Sequence, residues 1–196
     1  MALQYSDVSK FKQTDLDWAQ GNQFYLVCDR LPELVFTCQR ISLGSLTAGE
    51  AVMSNRFNMN RMVPGESLDY GVLNADFIVT NDYSNYRSIL EWMKGNVRPD
   101  GFQQGIDYIN KVAKFENDYD KRFKDTMSDM TVIATDAADR PLCQWNFKSA
   151  FPVSLDGPNF NSTNTDIEYI TSNVTFNFHY FEHQTYINGV LQDNTI

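Results

Sequence analysis

The stretch NVTFNFHYF at 173–181 sets the tightest limit on the fold. Val174, Phe176, Phe178 and Tyr180 fall on one side of an extended chain, and Thr175, Asn177, His179 and Phe181 on the other. A period of two sends successive side chains to opposite faces, and one apolar face beside one mixed face describes an antiparallel strand buried on one side. Such a strand needs partners, and the chain supplies them. FYLVC at 24–28 is a continuous apolar run, and LVFTCQRISL at 34–43 alternates after the turn Arg30-Leu31-Pro32. LNADFIVT at 73–80 and residues 167–170 add further strands. MTVIAT at 130–135 and LCQWNF at 142–147 flank the polar turn DAADRP and read as a hairpin. Residues 44–49 are loop-like, and 151–153 lead into a loop rich in Asn, Ser, Thr, Gly and Pro up to Thr165.

One segment has helical periodicity. Asn81, Asp82 and Ser84 offer N-caps, Tyr86, Ile89, Leu90 and Met93 form one apolar stripe, and Gly95 is the stop signal. The spacing predicts a helix from about Tyr83 to Lys94 with Leu90 buried. Residues 96–129 are highly charged, with apolar residues every three or four positions, and read as a partly helical surface insertion. Residues 1–21 read as an N-terminal arm. AVMSNRFNMNRMV at 51–63 is polar for a strand, and Pro64-Gly65 marks a turn after it. We expect it to be a long strand or extended arm, with Arg56, Asn58, Asn60 and Arg61 as candidate subunit-interface residues. The elements add up to one mainly β domain over 1–196, a β-sandwich or barrel-like fold with one flanking helix and a polar insertion.

At 196 residues the chain buries a core without disulfide or metal staples. Sixteen basic against 25 acidic residues give a net charge of −9. An acidic protein is a poor sequence-independent binder of nucleic acid, because phosphate affinity comes mostly from Lys and Arg. The longest run without Asp, Glu, Lys or Arg, 169–181, is too short and polar to span a bilayer, so no membrane anchor is expected. MALQYSDVSKFKQTD lacks an apolar h-region, so no secretory signal is expected. Cys28, Cys38 and Cys143 form no CxxC and read as thiols of a reducing cytoplasm.

Signatures of catalysis are absent: no phosphate-binding glycine loop, no G-x-S-x-G, no H-E-x-x-H. His179 and His183, with Glu182 between them, would lie roughly 13 Å apart on one strand face, too far to share a metal. Asp118, Asp120, Asp125 and Asp129 lack the glycine and terminal glutamate of a calcium loop and read as a solvated face. The triplets at Asn161 and Asn173 read as chance glycosylation matches, and Phe176 and Phe178 as core. We expect no enzyme activity, cofactor or metal site.

Many strands without chemistry point to assembly, and the order of several segments carries a resemblance. NRMVPGESLDY at 60–70 is followed by strand LNADFIV and helix NDYSNYRSILEWMKG. Then come the hairpin with DAADRPLCQWNF, the phrase KSAFPVSL at 148–155 and an aromatic strand ending FHYFEH. Over residues 21–183 this resembles the tail tube proteins of contractile-tailed, T-even-like bacteriophages. The resemblance implies a virion structural protein, made in the host bacterial cytoplasm. Six subunits would join their sheets into a ring, and rings would stack into the inner tube through which DNA is ejected. Tail sheath and baseplate proteins would be its partners, and DNA would pass without specific binding. Edge strands paired between subunits cease to be a liability. A tube initiator, baseplate or tail terminator protein shares this fold. A small-ligand-binding β-barrel is the alternative from another class, and would need an enclosed pocket.

Overall fold

The computed structural model describes residues 21, 23–54, 60–97, 99, 101, 103, 106–107, 126–160, 168–187 and 190–192. Most of the expected antiparallel strands are present. In chain order the elements are β1 (Phe24–Cys28), α1 (Leu34–Thr37), β2 (Cys38–Ser42), β3 (Leu46–Ser54), β4 (Asn60–Tyr70), β5 (Leu73–Ile78), α2 (Ser84–Val97), β6 (Ser128–Thr135), β7 (Pro141–Leu155), β8 (Thr171–Asn177), β9 (Tyr180–Ile187) and β10 (Val190–Gln192). Sheet I runs β1-β6-β7-β9-β10, and sheet II runs β7-β8-β5-β2. Strand β7 belongs to both. Its first part pairs β6 and β9, and its last part pairs β8.

Fifteen residues is long for a strand, and β7 reaches that length by turning a corner. Along β6 and β7 the register passes from Met130↔Phe147 to Ser128↔Ala150, so Asp129 alone faces Lys148 and Ser149. That is a β-bulge, which bends the strand and sharpens its twist. Ser149 takes φ 56°, the left-handed region that a side chain with a Cβ rarely enters. Asp129 stabilises this geometry: its carboxylate accepts the Ser149 backbone N–H and the Lys148 ammonium, both at 3.0 Å. On the far side, His179 N–H donates to the Lys148 carbonyl at 2.9 Å. The break between β8 and β9 therefore sits against the corner of β7.

The inner faces of the sheets enclose Leu26, Met130, Val132, Phe147, Phe77, Val174 and Phe176. Helix α2 adds Ile89 and Trp92 to this core. The Trp92 ring lies 6.1 Å from that of Phe176 and its indole N–H donates to Thr126 O at 2.7 Å, so the one polar atom of the side chain is satisfied. Asn85 is buried and fastens the helix to the end of β5. Its amide donates to Ile78 O, and its carbonyl accepts from Thr80 N–H, the Thr80 hydroxyl and Tyr86 N–H.

Several expectations need correction. Residues 34–37 form α1, not strand, because Pro32 presets a helical φ and Leu31 and Leu34, three apart, are both buried. Residues 46–49 are strand rather than loop, since pairing with β4 overrides their small polar composition. Pro64 and Gly65 lie inside β4, and 151–153 lie inside β7. Proline is tolerated in both because these are edge segments. Gly95 is a buried residue within α2. The buried line of α2 is Asn85–Ile89–Trp92, one step around from the expected stripe, and Leu90 is only half-buried. Residues 168–170 are not strand, and 173–181 is two strands separated by a bend at Phe178 and His179. Most of the insertion at 96–129, and the arm up to residue 20, lie outside the described residues.

The hairpin turn between β6 and β7 is closed by Asp136, whose carboxylate accepts from the backbone N–H groups of Ala138 and Arg140 and from the Arg140 guanidinium. The Arg140 backbone N–H, then its side chain, hold the Asp136 carboxyl below its ordinary value near 3.8. A depressed carboxylate contributes stability above its unfolded pKa and loses it as pH falls through the folded one. Amide shifts at 138–140 in an NMR titration should therefore move below pH 3.8, and Asp136→Asn should abolish that titration. By urea denaturation Ile89→Ala should cost about 2–5 kcal/mol, and Leu90→Ala clearly less. Asp129→Ala should cost about 1–2 kcal/mol through the orphaned N–H. Ser149→Gly should be within about 0.5 kcal/mol of neutral, since relief of strain offsets the added freedom of the unfolded chain, whereas Ser149→Val should cost about 1–3 kcal/mol.

Candidate assembly interface

Among the described residues, strands β3 and β4 pair only with each other and form a separate two-stranded sheet. An isolated hairpin is marginally stable in water. Its root is firmly held. Gly44 and Gly71 cross so closely that a Cβ on Gly71 would stand 2.9 Å from Gly44 Cα, and Gly71 N–H donates to Ser45 O at 2.9 Å. Tyr70, the last residue of β4, packs edge-on against Phe178 and Phe181 at 6.2 and 5.4 Å. Beyond this root both faces are open. Val52 and Met62 are directly opposite on one face, and Met53 faces Arg61 on the other. Val52, Met53 and Met62 are 58%, 62% and 65% exposed, far more than a solvated strand pair needs to leave bare.

Of the candidate interface residues, Asn60 and Arg61 are exposed at the start of β4, opposite Ser54 and Met53. Arg56 and Asn58 lie outside the described residues. Sequence reasoning placed weight on the amides and cations here and missed the apolar pairs. Among the described residues no second sheet lies beneath Val52 and Met62.

Among the described residues, His179, His183 and Asp129 do not converge on a site. His179 sits in the bend and His183 on β9, its ring 5.0 Å from that of Trp145, so the expected common strand face is not formed. Asp129 holds the corner of β7, and Asp118, Asp120 and Asp125 lie outside the described residues. No group of three or more His, Cys, Asp or Glu among the described residues is placed to hold a metal. Burial pushes all three thiols up, Cys38 to about 11. Thiolate is the reactive form, so none is set up as a nucleophile. No described helix is long and apolar enough to cross a membrane.

The outward faces of the two sheets differ. On sheet II, Asn173 Nδ2 donates to Asp76 Oδ1 at 2.6 Å and the Thr175 hydroxyl to Asn74 Oδ1 at 2.7 Å. On sheet I a chain of amides runs across three strands. Thr131 donates to Asn146, Asn146 and Gln144 both donate to Gln184, and Tyr186 OH donates to Gln144 at 2.8 Å. Apolar and aromatic side chains flank that chain: Tyr25, Val27, Leu142, Tyr180 and Leu191 are all among the exposed large hydrophobics.

The fold recurs in solved contractile assemblies. A chain of the anti-feeding prophage cap, a tube-terminating cap, superposes with a TM-score of 0.58 at 16% identity over 95% of both chains. A chain of the anti-feeding prophage baseplate gives 0.58 at 13% identity, covering 86% of this chain and 96% of that one. A chain of the extended sheath-tube complex of an extracellular contractile injection system gives 0.54 at 14% identity, covering 94% and 100%. No curated protein matches the sequence at a significant level. Residues 90–182, from α2 into β9, match the family of the T4-like virus tail tube protein gp19. That match falls on α2, the β6–β7 hairpin and β8, so this stretch of the chain is similar to the contractile tail tube family.

Proposed function

We propose that six copies of this chain close into a ring by pairing strands between subunits, and that rings stack into the inner tube of a contractile phage tail. The tube is the conduit for DNA ejection, sheathed outside and seated on a baseplate. The observation that carries this reading is the β3–β4 hairpin, rooted rigidly yet bare on both faces. A lone domain gains nothing from such an arm, whereas a neighbouring copy covers it and removes its edges. Asn60 and Arg61, with Arg56 and Asn58, belong to the same contact. The sheath-tube and baseplate assemblies that contain its structural relatives support the same partners for this chain.

A second reading within the family is a tube-terminating cap. It is favoured by the TM-score to the cap chain, 0.58, which exceeds the 0.54 to the sheath-tube chain. Electron microscopy of the purified protein separates the two: long stacked tubes mark the tube subunit, and single rings mark a cap. A compact monomer at all concentrations overturns both.

The double substitution Met53→Asp with Met62→Asp should leave the monomer folded by circular dichroism and abolish tubes. Arg56→Glu with Arg61→Glu should also block polymerisation, and intact tubes would remove these cations from the contact. Duplex DNA should show no measurable affinity at physiological salt. Fluorescence anisotropy giving a roughly micromolar Kd with a steep salt slope would instead mark a nucleic-acid-binding barrel.

A further inference from the structure

The two ends of the gap between β1 and β2 are built differently. Among the described residues each of these strands is the last of its sheet, so no further strand closes this side of the sandwich. At one end the chain itself closes it. Helix α1 passes from β1 to β2, and Leu31 and Leu34 are 3% and 1% exposed. At the other end, where β1 begins and β2 finishes, no element among the described residues crosses, and a groove remains. Phe24, Val132, Ala134 and Trp145 line it from the inner face of sheet I, where Phe24 opposes Ala134 and Val132 opposes Trp145. Ile41 of β2 and Leu43 just beyond it line the other side. Phe24, Ile41 and Trp145 are only half-buried, and Leu43 is exposed.

Location and reach identify an occupant. Gly21 and Gln23, which lead into β1, are themselves part of the groove, so residues 1–20 join the described chain at its mouth. Trp18 precedes Gly21 by three residues and Leu16 by five. An extended chain covers about 3.3–3.6 Å per residue, so Trp18 lies within roughly 11 Å of Gly21 and Leu16 within roughly 18 Å. Polar groups at the same end lack partners. Gln23 Oε1 and the Thr135 hydroxyl are buried without a hydrogen bond, and the two residues are joined by Thr135 N–H donating to Gln23 O at 3.2 Å. Buried polar groups in folded proteins are normally paired, and a peptide N–H passing alongside would meet the Gln23 acceptor. Arg40 is the one charged residue among the described lining, and Asp15 and Asp17 carry the opposite sign beside Trp18. The groove measures about 280 Å³. Small-molecule pockets usually run from roughly 300 to 1,000 Å³ and gather several polar groups.

We infer that this groove is the docking site of the chain's own N-terminal arm, with Trp18 as the anchor that fills it. The indole covers Phe24, Ile41 and Trp145. The arm then does at this end what α1 does at the other, tying the edge of sheet I to the edge of sheet II. Tryptophan suits the place, since it buries a large apolar area and can keep its N–H at a wet rim. A short tether favours the chain's own arm over that of a second copy, because it holds the anchor at an effective concentration in roughly the millimolar range. The docking concerns a single subunit and stands apart from ring assembly.

Hydrogen exchange of the full chain, read by mass spectrometry, tests the docking. Amides of residues 14–20 should exchange at least about tenfold more slowly than in a free peptide of the same sequence. Trp18→Ala and Leu43→Asp should each remove that protection, while the amides of the β6–β7 hairpin keep theirs and report an intact fold. The protection should persist on dilution to the monomer. Protection lost on dilution puts the arm of a second copy in the groove. Protection that is absent, or unchanged by Leu43→Asp in a folded protein, leaves the groove to a separate partner. Either result overturns the inference. If Leu43→Asp also loses the hairpin amides, tryptophan fluorescence decides. Trp18→Ala should then red-shift the remaining emission and open it to acrylamide, because Trp145 loses its cover while Trp92, 1% exposed, stays shielded. An unchanged spectrum and unchanged quenching overturn the docking.

Discussion

The bulge at Lys148–Ser149, held by the Asp129 carboxylate, is the constraint on which the two-sheet architecture depends. A strand can serve two sheets only if it changes direction, and a change of direction costs a residue in an unfavourable conformation together with an orphaned N–H. Asp129 supplies the missing acceptor from the strand directly opposite. Once β7 turns, β9 pairs before the corner and β8 beyond it, and the chain between them must break at Phe178 and His179. Removing the corner would leave one continuous sheet without a second layer to close its apolar face.

The aromatic residues gather where the turn makes room. Phe147, on the inner face just before the corner, lies 4.8 Å from Phe178 and 5.6 Å from Phe181. Tyr70 joins the same group from the end of β4. The hairpin arm is thereby anchored to the point at which the two sheets meet. A force on the arm is delivered to packed rings rather than to a loop, because interiors of this density transmit strain.

Much of this was legible in the residues, and the exceptions have physical causes. The β6–β7 hairpin was readable because Asp136 in DAADRP can close a tight turn by itself. The existence of α2 was readable from its apolar spacing, but its rotation was not. The stripe Tyr86–Ile89–Leu90–Met93 and the line Asn85–Ile89–Trp92 share Ile89, and a buried, fully bonded Asn85 looks like a surface residue in sequence. The alternation at 173–181 correctly marked Val174, Phe176 and Phe178 as inward. It carried no sign that the phase would reverse, so that Tyr180 is exposed and Phe181 packs on the core. The polar character of 51–63 drew attention to a segment whose described residues belong to the bare hairpin of β3 and β4. Its apolar pairs were hidden because periodicity reports which residues share a face and not whether anything lies beneath that face.

The three cysteines carry a final consequence. Cys28 is buried with its thiol toward the Ser128 hydroxyl, Cys38 has its thiol toward Arg40 O, and Cys143 stands on β7, all three free. No disulfide joins them, and burial raises all three thiols, which lowers the thiolate fraction that exchange requires. The chain's shape rests on packing, hydrogen bonds and ion pairs such as Lys148–Asp129 and Arg140–Asp136. A particle built from it would hold no cross-link within this chain for a reducing environment to cut.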